Sequence, residues 1–371
     1  MPDDAGDLLD ETIATVEGYS SYFSFSRKRS GYSGVATYCR NSASPVRAEE
    51  GLTGKIASGA DDVGCYGDQA SFTDEELRSL DGEGRAVLTQ HRIRDADGGT
   101  KDLVVINVYC PRADRENLER MTYKLQFYNL LQLRAEALVK AGRYVVVLGD
   151  INVSHQRIDN CDPGPDFEEH PSRLWLTSFL QSCESTAESE TPEDSHHNED
   201  GSATEDHKAG GVFVDTFRSL HPTRERAFTC WSTLTGARQT NYGTRIDYVF
   251  ADAGLFGKYV LACDIMPEVQ GSDHCPVRAT LSCRPVPSPS LPQLCSSNIA
   301  GKQQKLMSFF QKLSPGKAAQ AKRHETEANL TSVSNSKPTE TFKAGSKRIG
   351  SDTGSQRSQK KPRLNTTDKP A

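Results

Sequence analysis

LGDINVSH, residues 148–155, closes the β-branched run YVVVL (144–148) with a glycine, a carboxylate and, two positions on, an amide. A short apolar run of this kind, ended by Gly and Asp, reads as a buried strand that delivers Asp150 and Asn152 at its tip. Two later blocks repeat the design: RIDYVF (245–250) brings Asp247, and GSDHCPV (271–277) brings Asp273 and His274. An isolated Asp is most often a loop cap or a solvated side chain. Three Asp at strand edges, each with a polar companion, instead supply hard oxygen donors, an amide and an imidazole. Those are the groups that metal-assisted phosphodiester hydrolysis needs.

Working outward, further β-branched stretches at Gly34–Cys39, Leu103–Tyr109, Ile246–Phe250 and Val277–Leu281 read as strands between Gly, Pro, Asp and Asn punctuation. Met121–Val139 has helical spacing, with Leu125, Tyr128, Leu131 and Ala135 on the expected buried face. A second helix is expected at Pro171–Gln181, with Leu174, Trp175 and Phe179 inward. Strands interleaved with helices predict a layered α/β (α+β) fold, without fixing its topology.

The 371 residues suffice for a large core. Their charge is unevenly placed. Residues 284–371 carry 16 Lys and Arg against 5 Asp and Glu, a net of +11, whereas the whole chain is −6. An acidic body of that size repels a polyanion overall, so nucleic-acid binding must use local basic patches and metal. Ten cysteines without a CxxC pair fit reduced thiols in an intracellular protein and argue against a zinc cluster. No run approaches the roughly 20 apolar residues of a membrane span. Residues 183–207 hold nine acidic residues and no Lys or Arg, a composition that predicts an exposed acidic insertion reaching to about 209. His196 and His197 within it give no metal site. The tail from 284 onward, rich in Pro, Ser, Lys and Gln, is likewise expected to lack a core, which puts the domain boundary at 283.

NVYCP (107–111), LGDINVSH, FTCW (228–231) with RIDYVF, and GSDHCPV resemble the endonuclease/exonuclease/phosphatase superfamily. That resemblance implies a DNase I-like four-layer α/β/β/α sandwich. TVEGYSSYFSFS (15–26), SGYSGVATYC (30–39) and TCWSTLTGAR (229–238) are similar to its DNA-repair branch, the AP endonucleases, so that roughly residues 10–283 are covered. By position, the resemblance makes Tyr109 the tyrosine that contacts the scissile phosphate and Asp150 the carboxylate that activates water. It makes Asn152 the amide that positions water or the oxyanion, and Asp247 the carboxylate that orients His274. Asp150, Asn152, Asp273 and His274 are implied around Mg²⁺, with Mn²⁺ as a substitute. Tyr109, Asn152 and Trp231 are implied DNA contacts, though Trp231 and Phe228 read equally well as core. Two positions that are aromatic in the major AP endonuclease are Cys230 and Thr244 here. A less aromatic pocket favours 3′-end cleaning and 3′→5′ exonuclease work over abasic-site incision.

Family members open with a strand bearing Asn-x-Asn and a second ending in Gln-Glu, whose Glu is the principal metal ligand. MPDDAGDLLDETIATVEGY offers neither, and Glu11 and Glu17 stand in another context. The expectation is therefore a sandwich short of its first strands and a metal site short of its best carboxylate, with weakened activity. A GRF zinc finger, found in full-length relatives, is also not expected before Ala371.

Gln303, Leu306, Phe309 and Phe310 fit Q-x-x-[LIM]-x-x-[FY]-[FY], the box with which partners bind the PCNA sliding clamp. One 3₁₀ turn puts Leu306 and the two aromatics on one face. Lys347-Arg348 and Lys360-Lys361-Pro362-Arg363 resemble a bipartite nuclear import signal over 347–363, although a basic tail can also simply contact a DNA backbone. The leading expectation is a monomeric, nuclear, Mg²⁺-dependent nuclease of base excision repair that acts on abasic or 3′-blocked duplex and is tethered to PCNA. A phosphatase of the same superfamily and a catalytically impaired DNA- or clamp-binding protein remain as alternatives.

Overall fold

The computed structural model describes residues 11–56, 61–95, 97–181 and 211–298, all within the first of two units, Met1–Lys312 and Leu313–Ala371. The acidic segment expected at 183–209, the clamp box at 303–310 and the basic signal at 347–363 lie outside the described residues.

In chain order the strands are β1 (Tyr19–Ser24), β2 (Val35–Arg40), β3 (Arg47–Glu50), β4 (Ala86–Arg94), β5 (Thr100–Tyr109), β6 (Tyr144–Asp150), β7 (Phe213–Asp215), β8 (Cys230–Trp231), β9 (Gly243–Thr244), β10 (Asp247–Asp252), β11 (Val260–Ile265), β12 (Val277–Leu281) and β13 (Arg284–Val286). The helices are α1 (Glu11–Ala14), α2 (Asp74–Asp81), α3 (Leu118–Lys140), α4 (Pro171–Phe179), α5 (Thr216–Leu220) and α6 (Ala253–Tyr259).

A seven-stranded sheet in the order β13-β4-β5-β6-β10-β7, with β3 also on β4, forms the centre. Only β5 and β6 run parallel, joined through α3, as a parallel pair requires. Register assigns the faces, because directly paired residues point the same way. Leu88, Ile106, Val147 and Phe250 form one row across β4, β5, β6 and β10. This row packs under α2, α3 and α4, against Phe127, Leu131, Leu138, Trp175 and Phe179. The adjoining row, Val87, Asn107, Leu148 and Val249, faces the other way. There the hairpin β1–β2 covers one end through Tyr22 and Cys39 on Val87, and β11–β12 with α6 covers the other through Val277, Ala279 and Leu281. The second layer thus consists of two separate hairpins, and Val105, Asn107 and Leu148 between them are only half-buried.

Helix α3 buries Tyr128, Leu131 and Ala135 as expected, leaves Leu125 partly covered, and also buries Lys124 and Arg134. In α4 the inward residues are Trp175, Leu176 and Phe179, whereas Leu174 is 58 % exposed. Pro171 at the first turn and the stack of Trp175 on Tyr128, 4.0 Å between centroids, fix that helix's rotation. The boundary expected at 283 lies inside the fold. Arg284–Val286 pairs with β4, Cys295 is fully buried against the β1–β2 hairpin, and Ser296 Oγ donates to the Ala14 carbonyl at 2.8 Å. Composition misjudged this stretch because an edge strand and one buried cysteine need no apolar run.

Candidate active site

Tyr109, Asp150 and Asp247 occupy one row across three adjacent strands: Tyr109 pairs with Asp150 in the parallel β5–β6 ladder, and Asp150 with Asp247 in the antiparallel β6–β10 ladder. The row lies on the same face as Asn107, Leu148 and Val249, at the strand ends beside the gap between the two hairpins. All three side chains are half-buried, as befits groups that must meet both protein and solute.

Local backbone geometry brings Asp150 there. Gly149 has φ +126°, and a Cβ on it would stand 2.0 Å from the Val108 carbonyl oxygen, so only glycine lets β6 lie this close to β5. Asn152 then turns the chain with φ +57°, a left-handed conformation that Asn tolerates. Its N–H donates to Asp150 Oδ1 at 2.8 Å, and its Nδ2 donates to Asp150 Oδ2 and to the Cys110 carbonyl, both at 2.9 Å. Both amide protons of Asn152 are therefore engaged. In this arrangement the amide orients the carboxylate, and only its Oδ1 remains to position water. Burial, followed by the charge of the neighbouring Asp247, lifts the Asp150 carboxyl to about 7.

Asp247 in turn joins His274. His274 Nδ1 donates to Asp247 Oδ2 at 2.8 Å, and Thr229 Oγ1 donates to the same oxygen at 2.6 Å. The bond to Asp247, with a smaller contribution from Cys230, raises the imidazole to about 11, so His274 is a cation at neutral pH. Thr229 is fully buried, and its hydroxyl also accepts the Ile246 and Asp247 N–H groups, which fixes the start of β10. Below it, Arg245 is locked between Asp159 and Asp215 by four charged hydrogen bonds of 2.7–3.2 Å.

Other supports carried little signal in the sequence. Arg85 donates to the Tyr109 carbonyl at 2.9 Å, and its guanidinium lies 4.7 Å from the centroid of the Tyr109 ring. Lys124 is buried and donates to the Asn152 carbonyl at 2.8 Å, and burial lowers its ammonium to about 8. A lysine inside the apolar stripe of α3 was the one hint of this contact.

Trp231, for which a core position was an equal expectation, is 4 % exposed, packs with Phe228, Ile265 and Cys275, and donates from Nε1 to Asn241 Oδ1 at 3.0 Å. It also lines a surface cavity together with Phe228, Arg238, Asn241 and Pro267. Among the described residues no three His, Cys, Asp or Glu side chains are grouped closely enough to hold a metal. Asp273 is exposed, with its carboxylate near Ser272 Oγ, and His274 Nδ1 is already taken by Asp247. Asp150 offers the hard oxygens that Mg²⁺ prefers. Cys230 and Thr244 pair across β8–β9, and Cys230 also bridges to His274, so both non-aromatic positions border the site.

The described cysteines are all free thiols, and among the described residues no helix is long and apolar enough to cross a membrane.

Known proteins share this fold. The catalytic domain of Xenopus laevis APE2, seen in a crystal structure, superposes with a TM-score of 0.69 at 52 % identity, covering 78 % of this chain and 83 % of that one. DNA-(apurinic or apyrimidinic site) endonuclease 2 of Xenopus laevis is 52 % identical over 311 residues, 82 % of this chain and 58 % of the relative. The Homo sapiens protein of the same name is 46 % identical over 357 residues, 94 % of this chain and 65 % of the relative. The chain thus spans less than two thirds of these relatives' length. Residues 2–274, which carry the Tyr109–Asp150–Asp247 row and end on His274, match the Endonuclease/Exonuclease/phosphatase family, and to that family the chain belongs.

Proposed function

We propose that this protein is a DNA-repair nuclease that hydrolyses phosphodiesters in abasic or 3′-blocked duplex DNA, as AP endonuclease, 3′-phosphodiesterase and 3′→5′ exonuclease. The observation that carries the proposal is the row Tyr109–Asp150–Asp247 with His274 fastened to its end at 2.8 Å. A carboxyl near 7 beside an imidazolium is a base paired with a cation, matched to neutral pH.

The chain's own groups divide the work as follows. Asp150, oriented through both oxygens by Asn152, takes the proton of the attacking water. His274, kept charged by Asp247, donates from Nε2 to a phosphate oxygen as negative charge builds. Tyr109, set over Arg85, gives its hydroxyl to the same phosphate. Activity requires a divalent cation, Mg²⁺ with Mn²⁺ in its place. Among the described residues no three His, Cys, Asp or Glu side chains are grouped to hold that cation. That same observation favours a second reading, a DNA- and clamp-binding protein with impaired catalysis.

Around this core we place the PCNA tether through Gln303, Leu306, Phe309 and Phe310, nuclear import through 347–363, and action as a monomer. Cleavage assays on abasic duplex, on 3′-blocked duplex and on inositol phosphates test the proposal. Release of product from the duplexes alone supports it. Inositol phosphate hydrolysis without DNA cleavage overturns it, and DNA binding without cleavage at any cation concentration selects the second reading.

A further inference from the structure

The loop of residues 266–273, between β11 and β12, carries Asp273 and leads into His274. Its side chains at 268–273 are solvent-exposed, and the Ser272 hydroxyl, which donates to the Asp273 carboxylate and accepts from the His274 N–H, ties the segment only to its own neighbours. Beside the Trp231 N–H on the Asp273 carbonyl and the Met266 N–H on the Pro276 carbonyl, its backbone is held by one side chain of the neighbouring β8–β9 loop. Arg238 donates from Nη1 to the Ser272 carbonyl at 2.8 Å, and from Nη2 to the Pro267 and Val269 carbonyls at 2.9 and 2.6 Å. Three carbonyls thus converge on one planar cation.

The guanidinium itself rests on Trp231, 4.6 Å from the ring centroid. That indole is anchored at several points. Its Nε1 donates to Asn241, and its backbone N–H donates to the Asp273 carbonyl at 2.9 Å. Gly243 lies against it so closely that a Cβ there would stand 2.6 Å from Cδ1. Trp231, which the sequence suggested for DNA contact, is thereby given a different task.

We propose that Arg238, seated on the Trp231 indole, is a positioning residue that sets the 266–273 loop and so aims Asp273 and His274. This rests on the reading of His274 as part of the active site. Lysine cannot replace Arg238 here, because a point charge on a flexible stem does not span three carbonyls with a fixed fork.

The test compares the full chain with Arg238→Lys and Trp231→Phe. It measures kcat and KM on 3′-blocked duplex, the melting temperature, and the imidazole NMR resonances of His274. Arg238→Lys should lower kcat by roughly 10- to 100-fold, as expected for a reacting group displaced by a fraction of an ångström. KM should stay within about twofold, since no substrate contact is lost. The His274 resonances should shift and broaden, and Trp231→Phe should move kcat and resonances the same way by less. If Arg238→Lys does not fold, Trp231→Phe carries the comparison. Unchanged kcat with unmoved His274 resonances overturns the proposal. So does a rise in KM that depends on salt while kcat holds, because Arg238 would then be a phosphate contact. The resonance measurement needs no turnover, so it decides this role even if the wild-type chain proves inactive on DNA.

Discussion

Asp247 stands directly across the β6–β10 ladder from Asp150 and accepts a 2.8 Å hydrogen bond from His274, so one carboxylate governs both neighbours. Its charge pushes the Asp150 proton affinity up and holds the proton on His274. Removing that charge while keeping the shape is therefore the most informative single change. In Asp247→Asn, His274 should titrate near its ordinary value of about 6.5, whereas in the wild type it should stay protonated beyond pH 8. Imidazole NMR measures both. Because the folded value is raised, the pair stabilises the protein fully below the unfolded pKa and loses that contribution as pH climbs toward about 11. Asp247→Asn should therefore cost least stability in strongly alkaline solution. Identical His274 titrations in the two proteins would show that the bond does not set the charge.

For Asp150 the sign is the same and only the pH window is lower. Its folded value is above the ordinary carboxyl range, so the folded state holds the proton more tightly and loses stability as pH rises from about 4 to about 7. Asp150→Asn should accordingly raise the melting temperature at pH 8 and leave it nearly unchanged at pH 4. The same titration should make kcat/KM rise with pH around a midpoint near 7. A pH-independent kcat/KM between 5 and 9, on the order of the range a carboxylate base spans, would remove Asp150 from the role of base.

Much of this site was legible before the fold was known, because its parts sit on strand ends with strong local signals. YVVVLGD, RIDYVF and GSDHCPV each announce a strand and its polar tip, and the ladders then place Asp150 and Asp247 side by side. Groups that act from a distance in sequence were not legible. Thr229 is 18 residues from Asp247, and Arg85 is 24 from Tyr109. Nothing local marks a buried Thr or Arg as a support. For Trp231 the sequence left core and DNA contact equally open, and its burial with Phe228 fits the core reading. The tip of the fold at 284–298 was missed because pairing with β4 depends on that strand's free edge and not on the segment's own composition.

Gly149 supplies a stability test independent of catalysis. With φ +126° and the Val108 carbonyl oxygen 2.0 Å from the position of a Cβ, Gly149→Ala must push β6 away from β5 or twist the glycine peptide. Backbone strain plus the lost ladder contact should cost roughly 2–4 kcal/mol in denaturant unfolding. A loss below about 0.5 kcal/mol, the range of an ordinary surface change, would mean that the strands do not approach this closely.

The clamp box makes a prediction outside the catalytic domain. A peptide of residues 301–313 should bind PCNA, and Phe309→Ala with Phe310→Ala should weaken it by roughly 2–4 kcal/mol, the scale of buried aromatic anchors. Calorimetry on the two peptides measures this. Equal affinities, falling steeply with salt, would reassign the contact to the basic residues of the tail.

The central claim is that the Asp150 carboxylate, oriented by Asn152 and paired with the His274 imidazolium, drives DNA phosphodiester cleavage. Single-turnover cleavage of a 3′-blocked duplex by the full chain and by Asp150→Asn, across a Mg²⁺ titration, tests it most directly. The wild-type chain should cleave in proportion to bound cation, and Asp150→Asn should be slower by roughly 10²- to 10⁴-fold while binding the duplex equally well. Equal rates for the two proteins, or cleavage by neither at saturating Mg²⁺, would contradict the account.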